Sequence, residues 1–404
     1  MNIYSRILSS IFLLPTLCFI ISCSQQGAEI NSARETEDGA ILVKNPANPV
    51  YRDMQIVFTE NLTIGVKDGD ENYMFGNKIF VNADASGNIY VADQDKRIVR
   101  KYDAQGIYLQ SIGRPGQGPG EFQNISKVRF DKAGSIYLYD DKNQRISWLT
   151  KEGNYELGIR AIAFFESVVI NSQGHFIARN VDNVELGNSK KWDYVYGLFD
   201  DKFNLYAEFL RLPQEAYNKS PKSAAHAFAD YLSGIAFVPY ASYSLDNNDL
   251  IYFGYPTQYE IKVYSPVGEL KTIIQRDHDP IVVNAEHKEL FERNLDRQLF
   301  SKMQSQDEQE VFEFIQYPKY KPAYEYFVLM ENGWIFVVVD SYHAEYTLID
   351  IFSKDGKYLA QFKTDIPTED LTFKNGMLYT IATIDDFKFV KRYKFEILGG
   401  PHSD

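Results

Sequence analysis

The chain repeats itself, and the repeat limits what it can fold into. "DASGNIYVAD" at 84–93 returns as "DKAGSIYLYD" at 131–140, with weaker echoes at 171–180, 246–255, 330–340 and 373–382. Each is a polar turn closing on Gly, Asn or Asp, followed by apolar and aromatic residues at strand length. A strand, a polar turn and another strand trail each echo, as in "RIVRKYDAQGIYLQSIG" (97–113) and "RISWLTKEGNYELGI" (145–159), and again at 196–209, 261–274 and 348–362. Gly87 and Gly134 are 47 residues apart, and so are Gly106 and Gly153, so both markers advance as one module. Gly333 and Gly376 are 43 apart. Units of ~40–50 residues with four short strands are propeller blades. A hairpin-only unit cannot bury both faces alone and must stack on its copies.

Six units are counted, so the expected fold class is all-β, a six-bladed β-propeller of four-stranded antiparallel blades. An aromatic content of 15% suits such half-buried pleated surfaces. The sixth unit lacks a fourth strand after "KFVKRYKFEIL" (388–398), while "MQIVFTENLTIG" (54–65) precedes the first turn marker with no unit of its own. This N-terminal strand is expected to complete the last blade and close the ring, which removes open sheet edges. The propeller domain is assigned to 51–400. Insertions are expected at about 211–231 and 276–322, the second containing a helix over 284–304 between blades four and five. Asn284 suits its N-cap and Glu286 its first turn, and Phe291, Leu295, Leu299 and Met303 form an i, i+4 stripe.

"GRPGQGPGEF" (113–122) invites a phosphate-loop reading. A P-loop needs Lys-Ser or Lys-Thr after the last glycine and a helix behind it, and neither comes after Gly120. The stretch falls between two units and is read as an interblade connection, with Phe122 wedged between sheets. "GNIYVADQDKRIVRKYDAQGIYLQSIGRPGQGPGEF" (87–122) resembles the NHL repeat in its "VAD" strand end, its aromatic-Asp-x-x-Gly turn and its glycine-rich connector. The whole chain resembles the bacterial six-bladed β-propeller lipoproteins over roughly 51–398.

The N-terminus supplies an address. Arg6 precedes an apolar run from Ile7 to Ile21, the length of a signal peptide and short for a membrane span. Ile20-Ile21-Ser22-Cys23 resembles a lipobox, which implies a lipoprotein signal peptide over 1–22 and acylation of Cys23. Residues 23–50 are polar and are read as a flexible tether. Cys18 leaves with the signal, so no thiol remains for a disulfide or a metal. Acyl chains would hold the mature protein on a lipid bilayer. Ser24 after the cysteine favours, by resemblance, the outer membrane of the cell envelope. A net charge of −13 and no basic run exclude a nucleic-acid partner.

Recurrence across units sorts the polar residues. Asp93 and Asp140, with Arg97 and Arg145, recur and are read as turn-stabilising. They stay on the list of ligand-binding candidates because propeller ligands touch several blades. His175, Arg179 and Asn180 in blade three, and Asp340 and His343 in blade five, do not recur and complete that list. The sequence contains no HExxH, G-x-S-x-G or EF-hand pattern, so no catalytic residue, metal ligand or cofactor is assigned. The expected function is a membrane-anchored binding module for an envelope protein, peptide or glycan. The resemblance also implies an alternative, a lactonase-like or peptide-amidating-lyase-like enzyme using a divalent metal such as Ca2+ in the central channel.

Overall fold

The computed structural model describes residues 32–36, 39–161, 167–186, 189–214, 223–295, 300, 305–343 and 345–400. The stretch read as a signal peptide, and Cys23 with it, lies outside the described residues. Six four-stranded antiparallel meanders succeed one another along the chain. Blade one runs from strand Ile79–Ala83 to strand Tyr108–Ile112, and blade two from Arg129–Phe130 to Tyr155–Arg160. Blade three runs from Val168–Ile170 to Leu205–Gln214, blade four from Ser242–Leu245 to Leu270–Arg276, and blade five from Tyr326–Leu329 to Tyr358–Thr364. Blade six comprises Glu369–Lys374, Met377–Ile384 and Phe387–Leu398, with Gln55–Ile64 as its fourth strand. That last pairing is antiparallel, from Val390 opposite Ile64 to Leu398 opposite Gln55.

The repeated turn has a backbone reason. Gly87, Gly134, Gly174 and Gly333 hold φ between 80° and 86°, where a side chain is strained. Blade four places Asp249 there at φ 62°. Its carboxylate offsets the strain by accepting from Lys132 Nζ of blade two at 2.6 Å and from the Ser172 backbone N–H of blade three at 3.3 Å.

The core is distributed between the blades. Ile136, Leu138, Tyr90 and Phe122 pack between blades one and two, and Tyr139, Phe176 and Phe199 between two and three. Matching layers join three to four, four to five and five to six. A further layer joins Tyr379, Ile381 and Ile64 of blade six to Val81 and Val91 of blade one. Burying one such side chain contributes roughly 1.5–3 kcal/mol.

The glycine-rich connector is structural. A Cβ on Gly113 would sit 2.1 Å from the Phe122 ring. Arg145 donates to the carbonyls of Gln117, Gly118 and Glu121 at 3.0, 2.8 and 2.6 Å, and the Glu121 carboxylate accepts from the Gly118 N–H at 2.8 Å. The loop fills its own interior with Arg145 and Glu121 and wedges Phe122 into the interblade layer.

Two expectations need correction. The tether over 23–50 is folded in its described part: Ser32–Glu35 and Ile41–Asn45 form a hairpin on the outer edge of blade four, Ile41–Asn45 running parallel to Leu270–Arg276. Asn45 is buried and donates to the carbonyls of Gln275 and Gly356, both at 2.9 Å, while accepting from the Tyr358 N–H at 2.7 Å. Backbone bonds from Val50 and Tyr51 to blade five carry the chain onward. The strap is apolar at Leu42 and Val43, enough to cover an edge that would otherwise lie open. In the insertion between blades three and four, helix α1 spans Ala224–Ser233. Between blades four and five, the helix expected over 284–304 ends early, at Asn294, and a further helix follows beyond that range. Helix α2 (Ala285–Asn294) is capped by Asn284 and ends where Leu295 turns to extended backbone, and α3 spans Ser305–Phe314. Leu299 and Met303 lie outside the described residues.

Candidate functional site

In a four-strand meander, the turn after the second strand and the connection after the fourth lie at the same end. Both insertions come after fourth strands, so they share an end with Asp93, Asp140, Asn180 and Asp340. The two insertions also share a core, in which Phe237, Phe291, Phe300 and Val311 pack with Tyr342 of blade five.

Asp93 and Asp140 are occupied by the fold. Asp93 accepts from the Gly76 and Lys96 N–H groups, each at 3.0 Å, and pairs with Arg100 Nη1 at 2.9 Å, all within a buried corner. Asp140 accepts from the N–H groups of Gln123, Asn124 and Asn143 at 2.7, 3.1 and 3.0 Å. Both carboxylates brace their own turns, but neither pairs with the arginine expected from the sequence: Asp93 takes Arg100, and Arg145 donates to the connector carbonyls rather than to Asp140. Arg97 instead occupies the turn itself, at φ 60°.

The blade-three candidates separate. His175 belongs to the opposite end of its strand, where its N–H donates to Asn171 Oδ1 at 3.0 Å and its ring stacks on Tyr206 at 5.0 Å. Asn180 turns its Oδ1 to the Val181 N–H at 2.7 Å. Arg179 lies over the Tyr194 ring, 4.2 Å from its centroid, and lines a cavity of about 230 Å³. Tyr196, Tyr240, Ser242, Tyr243 and Tyr326 line it too, drawing on the innermost strands of blades four and five. Burial pushes the Tyr243 hydroxyl up to about 12 and raises those of Tyr196 and Tyr240, so all three stay neutral near pH 7.

Blade five brings Asp340 and His343 together and adds partners that the sequence reading missed. Asp340 Oδ1 accepts from Lys321 Nζ and, at 3.0 Å, from the Tyr342 N–H. Asp340 Oδ2 faces His343 Nε2 at 3.3 Å and His287 Nε2 at 3.5 Å. Lys321 also reaches Glu325 Oε1 at 3.3 Å, and Glu325 accepts from the Ser341 N–H and Oγ at 2.8 and 2.6 Å. Asp340, Lys321 and His287 are buried, while His343 is about a quarter exposed at 23%. Burial lowers the His287 pKa and raises that of Glu325. Among the described residues this is the one trio of His, Cys, Asp or Glu whose donor atoms converge, all within 4.8 Å. It is nitrogen-rich and sits one strand out from the channel, unlike the Ca2+ site that the resemblance implies. His287 entered the sequence reading only as part of a helix; its position three residues after the N-cap was the available signal.

The family model for 6-bladed beta-propellers, DUF5128, matches residues 74–391, most of the chain. The chain belongs to that family. Among solved structures, this DUF5128 propeller is similar to a Bacteroides fragilis NCTC 9343 protein named as a presumed exported protein, with TM-score 0.52, 10% identity, and coverage of 88% of this chain and 99% of that one. The virginiamycin B lyase of Staphylococcus aureus matches with TM-score 0.41 and 8% identity over 85% of this chain and 99% of its own. A Xanthomonas campestris gluconolactonase matches with TM-score 0.41 and 10% identity over 84% and 100%. These likenesses concern the fold. A search of curated protein sequences finds no match.

Proposed function

We propose that this propeller is a lipid-anchored envelope module that binds a carboxylate-bearing unit of a glycan or peptide in the Arg179 cavity. The observation that carries the reading is Arg179 over the Tyr194 ring, 4.2 Å from its centroid, in the lining of a tyrosine-rich hollow. A guanidinium pairs with a carboxylate in a two-pronged fashion, and aromatic stacking holds it in place. Neutral phenols add hydroxyl donors. The hollow is smaller than the about 300–1,000 Å³ of sites for drug-sized molecules, so it takes one ring or one chain end. Among the described residues no helix is long and apolar enough to cross a membrane. The N-terminal address supports an envelope location, as does the fold similarity to a protein named for export. Acylation at Cys23 would hold the propeller on a bilayer, by resemblance the outer membrane.

The test is an array of uronic-acid oligosaccharides and peptides with free or amidated C-termini. Selective retention of the carboxylate forms is expected, with at least tenfold weakening in Arg179→Ala, which corresponds to about 1.4 kcal/mol. Equal binding of amidated and free forms, or of wild type and Arg179→Ala, would refute the site. Palmitate labelling that survives Cys23→Ala would refute the anchor.

A further inference from the structure

We infer that His287, Asp340 and His343 form a binding site for one divalent transition-metal ion, of the zinc or cobalt type, roofed by the insertion that carries α2. Four observations converge on it. The first is spacing. In a tetrahedral site with bonds of about 2.0–2.2 Å, donor atoms stand about 3.3–3.6 Å from one another. Asp340 Oδ2 stands 3.3 Å from His343 Nε2 and 3.5 Å from His287 Nε2. Both separations exceed the mode of about 2.9–3.0 Å for an N–H···O hydrogen bond, and each is close to a tetrahedral edge.

The second is an unsatisfied atom. His287 is only 2% exposed, and its Nε2 is buried without a hydrogen-bond partner. A native interior rarely leaves such an atom without a ligand or a water. The third is charge. The trio's own Asp340, Glu286 beside His343 and Glu325 beside Lys321 supply three carboxylates, and Lys321 supplies one ammonium. With both imidazoles neutral, two negative charges remain, the charge of one divalent cation. The fourth is support behind the ligands. Lys321 and the Tyr342 N–H hold the far oxygen of Asp340, so Oδ2 is the oxygen left to ligate. Such outer contacts orient metal ligands. His343 stacks on Tyr346 at 4.3 Å and is the partly exposed member, which leaves a fourth position for water or a ligand group.

The donor set selects the metal. Two imidazoles and one carboxylate suit zinc, cobalt, iron or manganese, whereas Ca2+ takes six to eight oxygens. One contact opposes binding. His287 Nδ1 accepts from the Asn284 N–H at 3.2 Å, which puts the ring proton on Nε2 in the metal-free protein. A metal on Nε2 requires the other tautomer and gives up that contact, so affinity falls below that of a site whose second ring nitrogen already donates. The site is distinct from the Arg179 cavity and does not depend on it.

The test uses the full chain in detergent, stripped with chelator and titrated with Co2+ and Zn2+. Absorption, calorimetry and metal content after dialysis are the readouts. One ion per chain is expected, with the intense visible absorption of tetrahedral cobalt and a concentration-dependent rise in Tm. His343→Ala, chosen because its side chain is partly exposed, should weaken binding by more than about tenfold. Asp340→Asn should do the same, with circular dichroism confirming that both variants are folded. His175→Ala and Arg179→Ala should bind as wild type does. Absence of the cobalt spectrum in the folded wild type would overturn the site, and so would undiminished binding in folded His343→Ala. In that case the cluster is a buried Lys321–Asp340 pair packed against His287 that fastens the insertion to blade five.

Discussion

Asp140 of blade two and Asp340 of blade five end the second strands of their blades, yet they do different work. Asp140 is consumed by three backbone N–H groups of its own corner. Asp340 comes after a register shift at Val338, and only one of its oxygens is tied, to Lys321 and a turn N–H, while the other faces two imidazoles. The contrast extends to whole regions. Blades one and two keep the 47-residue period, whereas blades three to five carry both insertions and all five histidines before His402. Where a repeat is regular, its polar residues serve the fold. Where it is interrupted, they are released from that duty and can meet groups supplied by the insertion.

That comparison can be tested by substitution. The largest effect is expected from deleting 54–65, which strips blade six of its fourth strand and leaves Phe387–Leu398 as an open edge. Loss of cooperative thermal unfolding is the expected result, and a truncated chain that melts sharply near the wild-type Tm would contradict it. Next comes the pair of aspartates. Asp93→Ala leaves Arg100, only 3% exposed, without its carboxylate and should cost about 3–5 kcal/mol in urea unfolding. Asp340→Asn leaves Lys321 with Glu325 and should cost less, about 1–3 kcal/mol. A reversed order would show that the irregular half is the more tightly coupled one.

Asn45→Ala tests the strap across the irregular half. It removes three hydrogen bonds and leaves the Tyr358 N–H buried without its acceptor, a loss of about 1–3 kcal/mol. An unchanged urea midpoint would mean that the strap is ornamental. The smallest effect is one of pH. Burial lowers the folded pKa of His278 below the unfolded value of about 6.5. The folded state therefore resists the proton, so this contribution is complete above pH 6.5 and is lost as the pH falls towards the folded value. His278→Asn should flatten the stability profile between pH 7 and 5; an identical slope would place the acid sensitivity elsewhere.

Much of the fold was legible because a propeller blade is a local object. Turn glycines and apolar strands lie within some 45 residues, and each marker recurs, so the period alone implies stacked meanders. The glycine-rich connector was legible for the same reason, since it leads into another strand and not into a helix. The strap was not, because "ILVKN" is short and polar-flanked, and its partner strand lies more than 200 residues away. Of the trio in blade five, His343 stood out because it broke the repeat, and Asp340 drew notice beside it although it ends its strand where Asp93 and Asp140 end theirs. His287, Lys321 and Glu325 did not, since an insertion has no copy to be compared with.

The sequence by itself determined the number of blades, their strand content and the residues that make the turns, since these depend on periodicity and local backbone preference. Only the tertiary structure decided which polar residues meet. Asp340 lies within 3.5 Å of a histidine 53 positions earlier because a helix inserted between two blades folds back over one of them. The geometry of that return is set by apolar packing among Phe237, Phe291 and Tyr342, contacts between distant segments that no local pattern encodes.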